Sequence, residues 1–131
     1  MAYAYGKLST RRLKSCHEQL QRLMYALAED WNISIICGHR TEEEQNKAVA
    51  DGASKTPFPK SKHNTYPSIA LDAALYPIDW NDTGRHYMFV GMVKQKAKDL
   101  GINIRCGADW DSDNNTDDQT FNDLVHFELV L

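Results

Sequence analysis

The sequence predicts an α+β domain in which a small antiparallel sheet packs with about three helices. Three stretches carry apolar residues at helical spacing. About four short runs are β-branched or alternate in polarity, and the late connections are short enough for hairpins. A chain of 131 residues, 42% hydrophobic and 25% charged, has the size and balance of a single domain, residues 1–131, with its own core.

Residues 9–29 place Leu13, Cys16, Leu20, Leu23, Met24 and Leu27 close to helical spacing, with Ser9 or Thr10 available as N-cap. Residues 32–37 (NISIIC) are β-branched and end at Gly38, which reads as a buried strand. Thr41 caps a second helix over 41–52, and Glu42, Glu43 and Glu44 fill its first turn, where the helix dipole favours negative charge. Residues 53–66 hold two prolines and no apolar period, which predicts a long exposed loop of the kind that often binds ligands. Residues 68–76 alternate as a strand, and 84–100 form a helix ending at Gly101. Residues 102–106 and 125–131 complete the sheet.

Composition excludes several classes. No stretch approaches the roughly 18 apolar residues of a membrane span, and the N-terminus lacks the apolar core of a signal peptide, so the expected product is made in the cytoplasm without membrane insertion. Cys16, Cys37 and Cys106 are odd in number with no close pair, and small buried thiols are the expected reading. The net charge of −3 is unevenly spread: residues 1–105 hold all 15 Lys and Arg against 11 acids, whereas 106–131 hold seven acids and no Lys or Arg. An acidic final segment, with no helix-turn-helix, zinc finger or stacking platform, argues against nucleic acid as a partner.

Asp72 lies on the strand face opposite Ile69, Leu71, Ala73 and Leu75, between Ala70 and Ala74, which leave room in front of it. His63 stands in the Pro-rich loop. In the last strand His126 and Glu128 point away from Val125, Phe127 and Leu129. Two His and one Asp are donors that zinc accepts, and three protein ligands leave a fourth position open, the stoichiometry of a catalytic rather than a structural zinc. Asp123, three residues before His126, can serve as a general base beside such a site if a turn brings both to one side. Taken singly, each of these residues has the alternative of an ordinary surface or core position, and His17, His39 and His86 are read as structural.

Ser61-Lys62-His63, Ala70-Leu71-Asp72 and Asp123-Leu124-Val125-His126-Phe127-Glu128 together resemble the zinc peptidases that cleave peptidoglycan stem peptides. Gly38-His39-Arg40-Thr41 with Gln45 resembles the family's strand-to-helix segment carrying an Arg, and Pro77-Ile78-Asp79-Trp80, Cys106-Gly107-Ala108-Asp109-Trp110 and the His-x-Glu ending are similar to its phage endolysin branch. The resemblance implies zinc on His63, Asp72 and His126 in a cleft, Asp123 as general acid/base, and Arg40 either stabilising an oxyanion or gripping a substrate carboxylate. A plain surface role remains the alternative for Arg40. The interval from His63 to Asp72 is longer than the family's and lacks its Gly. The loop is therefore expected to return His63 to the metal by a longer path.

The implied activity is hydrolysis of an L-alanyl-D-glutamate bond by a phage-type lysis enzyme. The rivals are a D-Ala-D-Ala carboxypeptidase and a non-catalytic zinc module that binds peptidoglycan. The expected unit is a monomer without a separate cell-wall-binding domain, reaching periplasmic peptidoglycan after release by another route.

One feature lies outside the zinc chemistry. Asp109, Asp111, Asp113, Asn115 and Asp117 recur at every second position, the spacing of the first oxygen ligands in an EF-hand calcium loop. Asn114 stands where that loop has Gly, and Thr120 where it has a bidentate Glu. A calcium loop and a solvated acidic loop are both open readings.

Overall fold

The computed structural model describes residues 2–115 and 123–131. Its elements are α1 (Lys7–Lys14), α2 (Glu18–Leu27), β1 (Ile33–Cys37), α3 (Glu42–Ala50), β2 (Ala70–Leu75), α4 (Thr83–Leu100), β3 (Ile104–Cys106) and β4 (His126–Leu129). The sheet order is β1-β2-β4-β3, and each neighbouring pair is antiparallel. This is the expected α+β architecture, with one helix more than the apolar spacing indicates.

The extra helix comes from a break at residues 15–17 in the expected first helix. The His17 ring accepts from the Gln19 backbone N–H and so N-caps α2. The backbone on either side of Cys16 bonds that of Ser68: His17 N–H donates to Ser68 O at 2.8 Å and Ser68 N–H to Ser15 O at 2.9 Å. A continuous helix would have kept those groups for itself. The other boundaries follow local chemistry. Thr41 and Glu44 form a reciprocal capping box at the start of α3, and Asp82 caps α4. Gly101, at φ 72°, takes the left-handed turn that ends α4.

The alternation of side chains gives the sheet two unlike faces. Ile33, Ile35, Leu71, Ala73, Phe127 and Leu129 pack into one core with Leu20, Leu23 and Met24 of α2 and Phe89, Val90 and Val93 of α4. Phe89 and Phe127 meet edge to face, their centroids 5.8 Å apart. The other face carries Asp72, His126, Glu128 and Arg105. Register sets them side by side, Asp72 opposite His126 and Arg105 opposite Glu128. Among the described residues no helix is long and apolar enough to cross a membrane.

Candidate metal centre

Pairing of β2 with β4 brings Asp72 Oδ1 to 3.2 Å from His126 Nδ1. The 53–66 loop returns His63 despite its length, placing Nε2 3.3 Å from the same oxygen. Four bonds hold the loop there. Gln45 of α3, fully buried, donates to Ser54 Oγ and Thr56 O and accepts from Asn64 Nδ2, and the His63 carbonyl accepts from the Arg40 backbone N–H at 2.8 Å. Ser61 Oγ accepts from the His63 backbone N–H at 3.2 Å, so this hydroxyl shapes the turn that presents the ring.

The second nitrogen of each imidazole is also engaged. His63 Nδ1 lies 2.8 Å from Gly38 O, which only accepts, so Nδ1 carries the proton and Nε2 is left facing Asp72. His126 Nε2 lies 2.9 Å from Glu128 Oε1, which leaves Nδ1 facing Asp72. Partners of this kind fix the tautomer and orientation of metal-binding histidines. Donors about 2.0–2.1 Å from a tetrahedral zinc stand roughly 3.3 Å apart. The 3.2 and 3.3 Å separations of Asp72 Oδ1 from the two imidazoles therefore fit zinc by spacing and donor type, while Cys37, His63 and Asp72 also bring ligand atoms within 4.8 Å of one another.

Asp123 enters the group through the turn that precedes β4. Its carboxylate lies within 4.8 Å of the facing atoms of Asp72 and His126. Gly107 secures that turn by accepting from the Asp123 N–H at 3.0 Å and donating to His126 O at 2.9 Å. A Cβ at Gly107 would stand 2.2 Å from Asp123 O. Gly107→Ala is therefore expected to displace Asp123, costing about 1–3 kcal/mol of stability and lowering turnover, as read by urea unfolding and peptidase rate.

Electrostatics follow from this packing. For Asp72, burial opposes ionisation, but hydrogen bonds from His126 and His63 outweigh it and hold its carboxyl well below the usual range. For His63, burial opposes protonation, yet Asp72 and Cys37 raise its pKa to about 10. Burial, then the Asp72 charge, raises Asp123 above an ordinary carboxylate.

Arg40 Nη2 stands 3.9 Å from Asp72 Oδ2 and 3.5 Å from Cys37 Sγ, while Nη1 donates to Gln45 Oε1 at 3.0 Å. Cys37 corrects the expectation of three core thiols. Cys16 and Cys106 are buried in the core, but Cys37 sits in the site with Sγ 3.8 Å from His63 Nδ1. Burial opposes its ionisation, and the hydrogen bond with His63 together with the Arg40 charge still lowers its pKa. Gln45 and Glu128 are the other members of the site whose contacts alternation and spacing do not disclose. The cleft above these groups holds about 300 Å³ and is lined by the loop, by Arg105 and Trp110, and by the sheet residues.

The remaining histidines make contacts within the fold. His17 caps α2, His39 meets Tyr66 edge to face, and His86 bonds Asp79 O and stacks on Trp80.

In the acidic loop, ligand atoms of Asp109, Asp111 and Asp113 lie within 4.8 Å of one another. Asp109 is buried and bonded to Lys94 Nζ at 2.8 Å and to the N–H groups of Asp113 and Asn114. Asn114 adopts a left-handed φ of 64°, and the Asn115 N–H donates to Asp113 Oδ1. Asp117 and Thr120 lie outside the described residues.

The phage L-alanyl-D-glutamate peptidase family matches residues 1–130. The L-alanyl-D-glutamate peptidase of Escherichia phage T5 is 34% identical over 140 residues, covering 99% of this chain and all of that protein. In fold the chain is similar to the crystal structure of the Serratia marcescens L-Ala D-Glu endopeptidase ChiX, with a TM-score of 0.74 and 22% identity, covering 96% of this chain and 89% of that one. Matched along its whole length by the family and by a curated member of it, the chain belongs to the phage L-alanyl-D-glutamate peptidases.

Proposed function

We propose that the protein is a zinc-dependent endopeptidase that hydrolyses the L-alanyl-D-glutamate bond of peptidoglycan stem peptides. The observation that carries this is that Asp72 Oδ1 lies 3.3 Å from His63 Nε2 and 3.2 Å from His126 Nδ1, with the Asp123 carboxylate within 4.8 Å of ligand atoms of Asp72 and His126. His63, Asp72 and His126 would hold the metal. Bound zinc supplies Lewis acidity that acidifies water and polarises a carbonyl.

The chain's own groups carry the rest. Asp123 takes the proton from the attacking water and delivers it to the departing amine, so the amide nitrogen leaves neutral. Arg40, steadied by Gln45, offers its guanidinium to the oxygen that gains charge as the carbonyl becomes tetrahedral. Glu128 and Gly38 O keep the two imidazoles in the tautomers that face Asp72. The proposed working unit is a monomer. The proposed site of action is the peptidoglycan of the periplasm, reached after release from the cytoplasm.

Mass spectrometry of stem-peptide fragments after incubation with the protein tests the reading. The expected products are those of cleavage between L-Ala and D-Glu. Release of terminal D-Ala would identify the carboxypeptidase instead, and intact peptides with zinc bound would identify a binding module.

For the acidic turn, the converging Asp109, Asp111 and Asp113 and the left-handed Asn114 support calcium as ligand, in competition with Lys94 for Asp109. Calorimetric titration of the zinc-loaded protein is expected to show heat only near ~0.1–1 mM calcium, lost in Asp111→Ala and Asp113→Ala. No heat up to millimolar calcium would leave Lys94 as the counter-ion of Asp109.

A further inference from the structure

We propose that Arg105 binds the free carboxylate of the substrate's glutamyl residue on the leaving-group side, and so sets a preference for an acidic residue there. The inference rests on the peptidase reading above. It begins with the substrate's chemistry. Hydrolysis of an alanyl-glutamate bond releases the glutamate nitrogen. Glutamate has two carboxyls, so a peptide that continues through one of them leaves the other free near the scissile bond. That anion must enter a cleft that already presents Asp72, Asp123 and Glu128. Like charges so close repel strongly unless a cation intervenes.

Two arginines line the cleft, and they differ in what they are already doing. Arg40, the group proposed for the developing oxyanion, is held by Gln45 through Nη1 and by Cys37 through Nη2, beside Asp72. Arg105 uses Nη2 alone, at 3.0 Å from Glu128 Oε2. Among the described residues its Nη1 meets no acceptor, and its Nε is the one buried side-chain nitrogen or oxygen without a hydrogen-bond partner. The guanidinium lies 5.4 Å from the centroid of the Trp110 ring, which restrains its plane, and the side chain is 42% exposed. A restrained, half-exposed guanidinium can receive a carboxylate at its Nη1–Nη2 end, beside the bond to Glu128. Lys55, Lys60 and Lys62 also line the cleft, but all three are exposed loop residues whose ammonium groups water solvates well.

The test compares two stem peptides that differ in one group, the free glutamyl carboxylate or its carboxamide. The zinc-loaded wild-type enzyme is expected to favour the carboxylate in kcat/KM by roughly 10- to 100-fold. Arg105→Gln should remove that advantage, mainly through KM, while changing the carboxamide peptide by less than about 3-fold. Arg105→Lys should restore part of it.

Equal cleavage of the two peptides by the wild type overturns the proposal without any variant, so it stays testable even if Arg105→Gln folds poorly. An equal loss on both peptides in Arg105→Gln also overturns it, because Arg105 would then act only through Glu128. So does loss of the preference in Lys55→Ala, Lys60→Ala or Lys62→Ala with Arg105→Gln unchanged. Failure of the wild type to cut either peptide would instead remove the peptidase reading, and this inference with it.

Discussion

Replacing Asp123 by Asn is expected to lower kcat by roughly two or more orders of magnitude while bound zinc stays in place. The two side chains are nearly isosteric, so the turn held by Gly107 should survive, and only the capacity to accept a proton is removed. Burial and the neighbouring Asp72 charge already raise the Asp123 carboxyl, which brings it closer to the working range of a proton shuttle than an exposed aspartate. Because the loss belongs to proton transfer, it should appear in kcat with little change in KM, and the acidic limb of the pH–rate profile should change with it. Retention of wild-type kcat would make Asp123 a residue of the turn alone.

Alanine at His63, Asp72 or His126 is expected to abolish measurable turnover and to lower zinc content in each case. A three-ligand site loses much of its affinity with any ligand gone. Binding must also displace a proton, since the metal-free His63 ring holds one up to a pKa of about 10. Zinc affinity should therefore fall as pH drops, and titration at neutral pH in buffers of different ionisation enthalpy should register proton release. Full zinc occupancy in any two of the three variants would contradict the ligand assignment.

Side-chain alternation is a local property, and it was enough to separate Asp72, His126 and Glu128 from the apolar faces of their strands. Alternation does not report pairing register. That Asp72 stands opposite His126 depends on how two distant segments align, and the family resemblance supplied what the pattern could not.

Cys37 shows the limit of the same rule. A strict period of two puts it with Ile33 and Ile35 in the core, but the register slips between Ile35 and Cys37, and this irregularity turns the thiol towards Asp72. The break between α1 and α2 was hidden for a similar reason. Apolar spacing continues through Cys16, and the bonds that stop the helix come from Ser68, far along the chain. The Gln45 network was equally hidden, because a polar residue in a charged helix reads as solvated until the loop folds over it.

X-ray absorption at the zinc edge of the purified protein tests the central claim most directly, because Cys37 brings a third kind of donor close to His63. Ligation by His63, Asp72 and His126 predicts two imidazole nitrogens with the remaining donors oxygen, all at about 2.0–2.1 Å, and no sulfur. A scatterer at about 2.3 Å would place the Cys37 thiolate on the metal and contradict it.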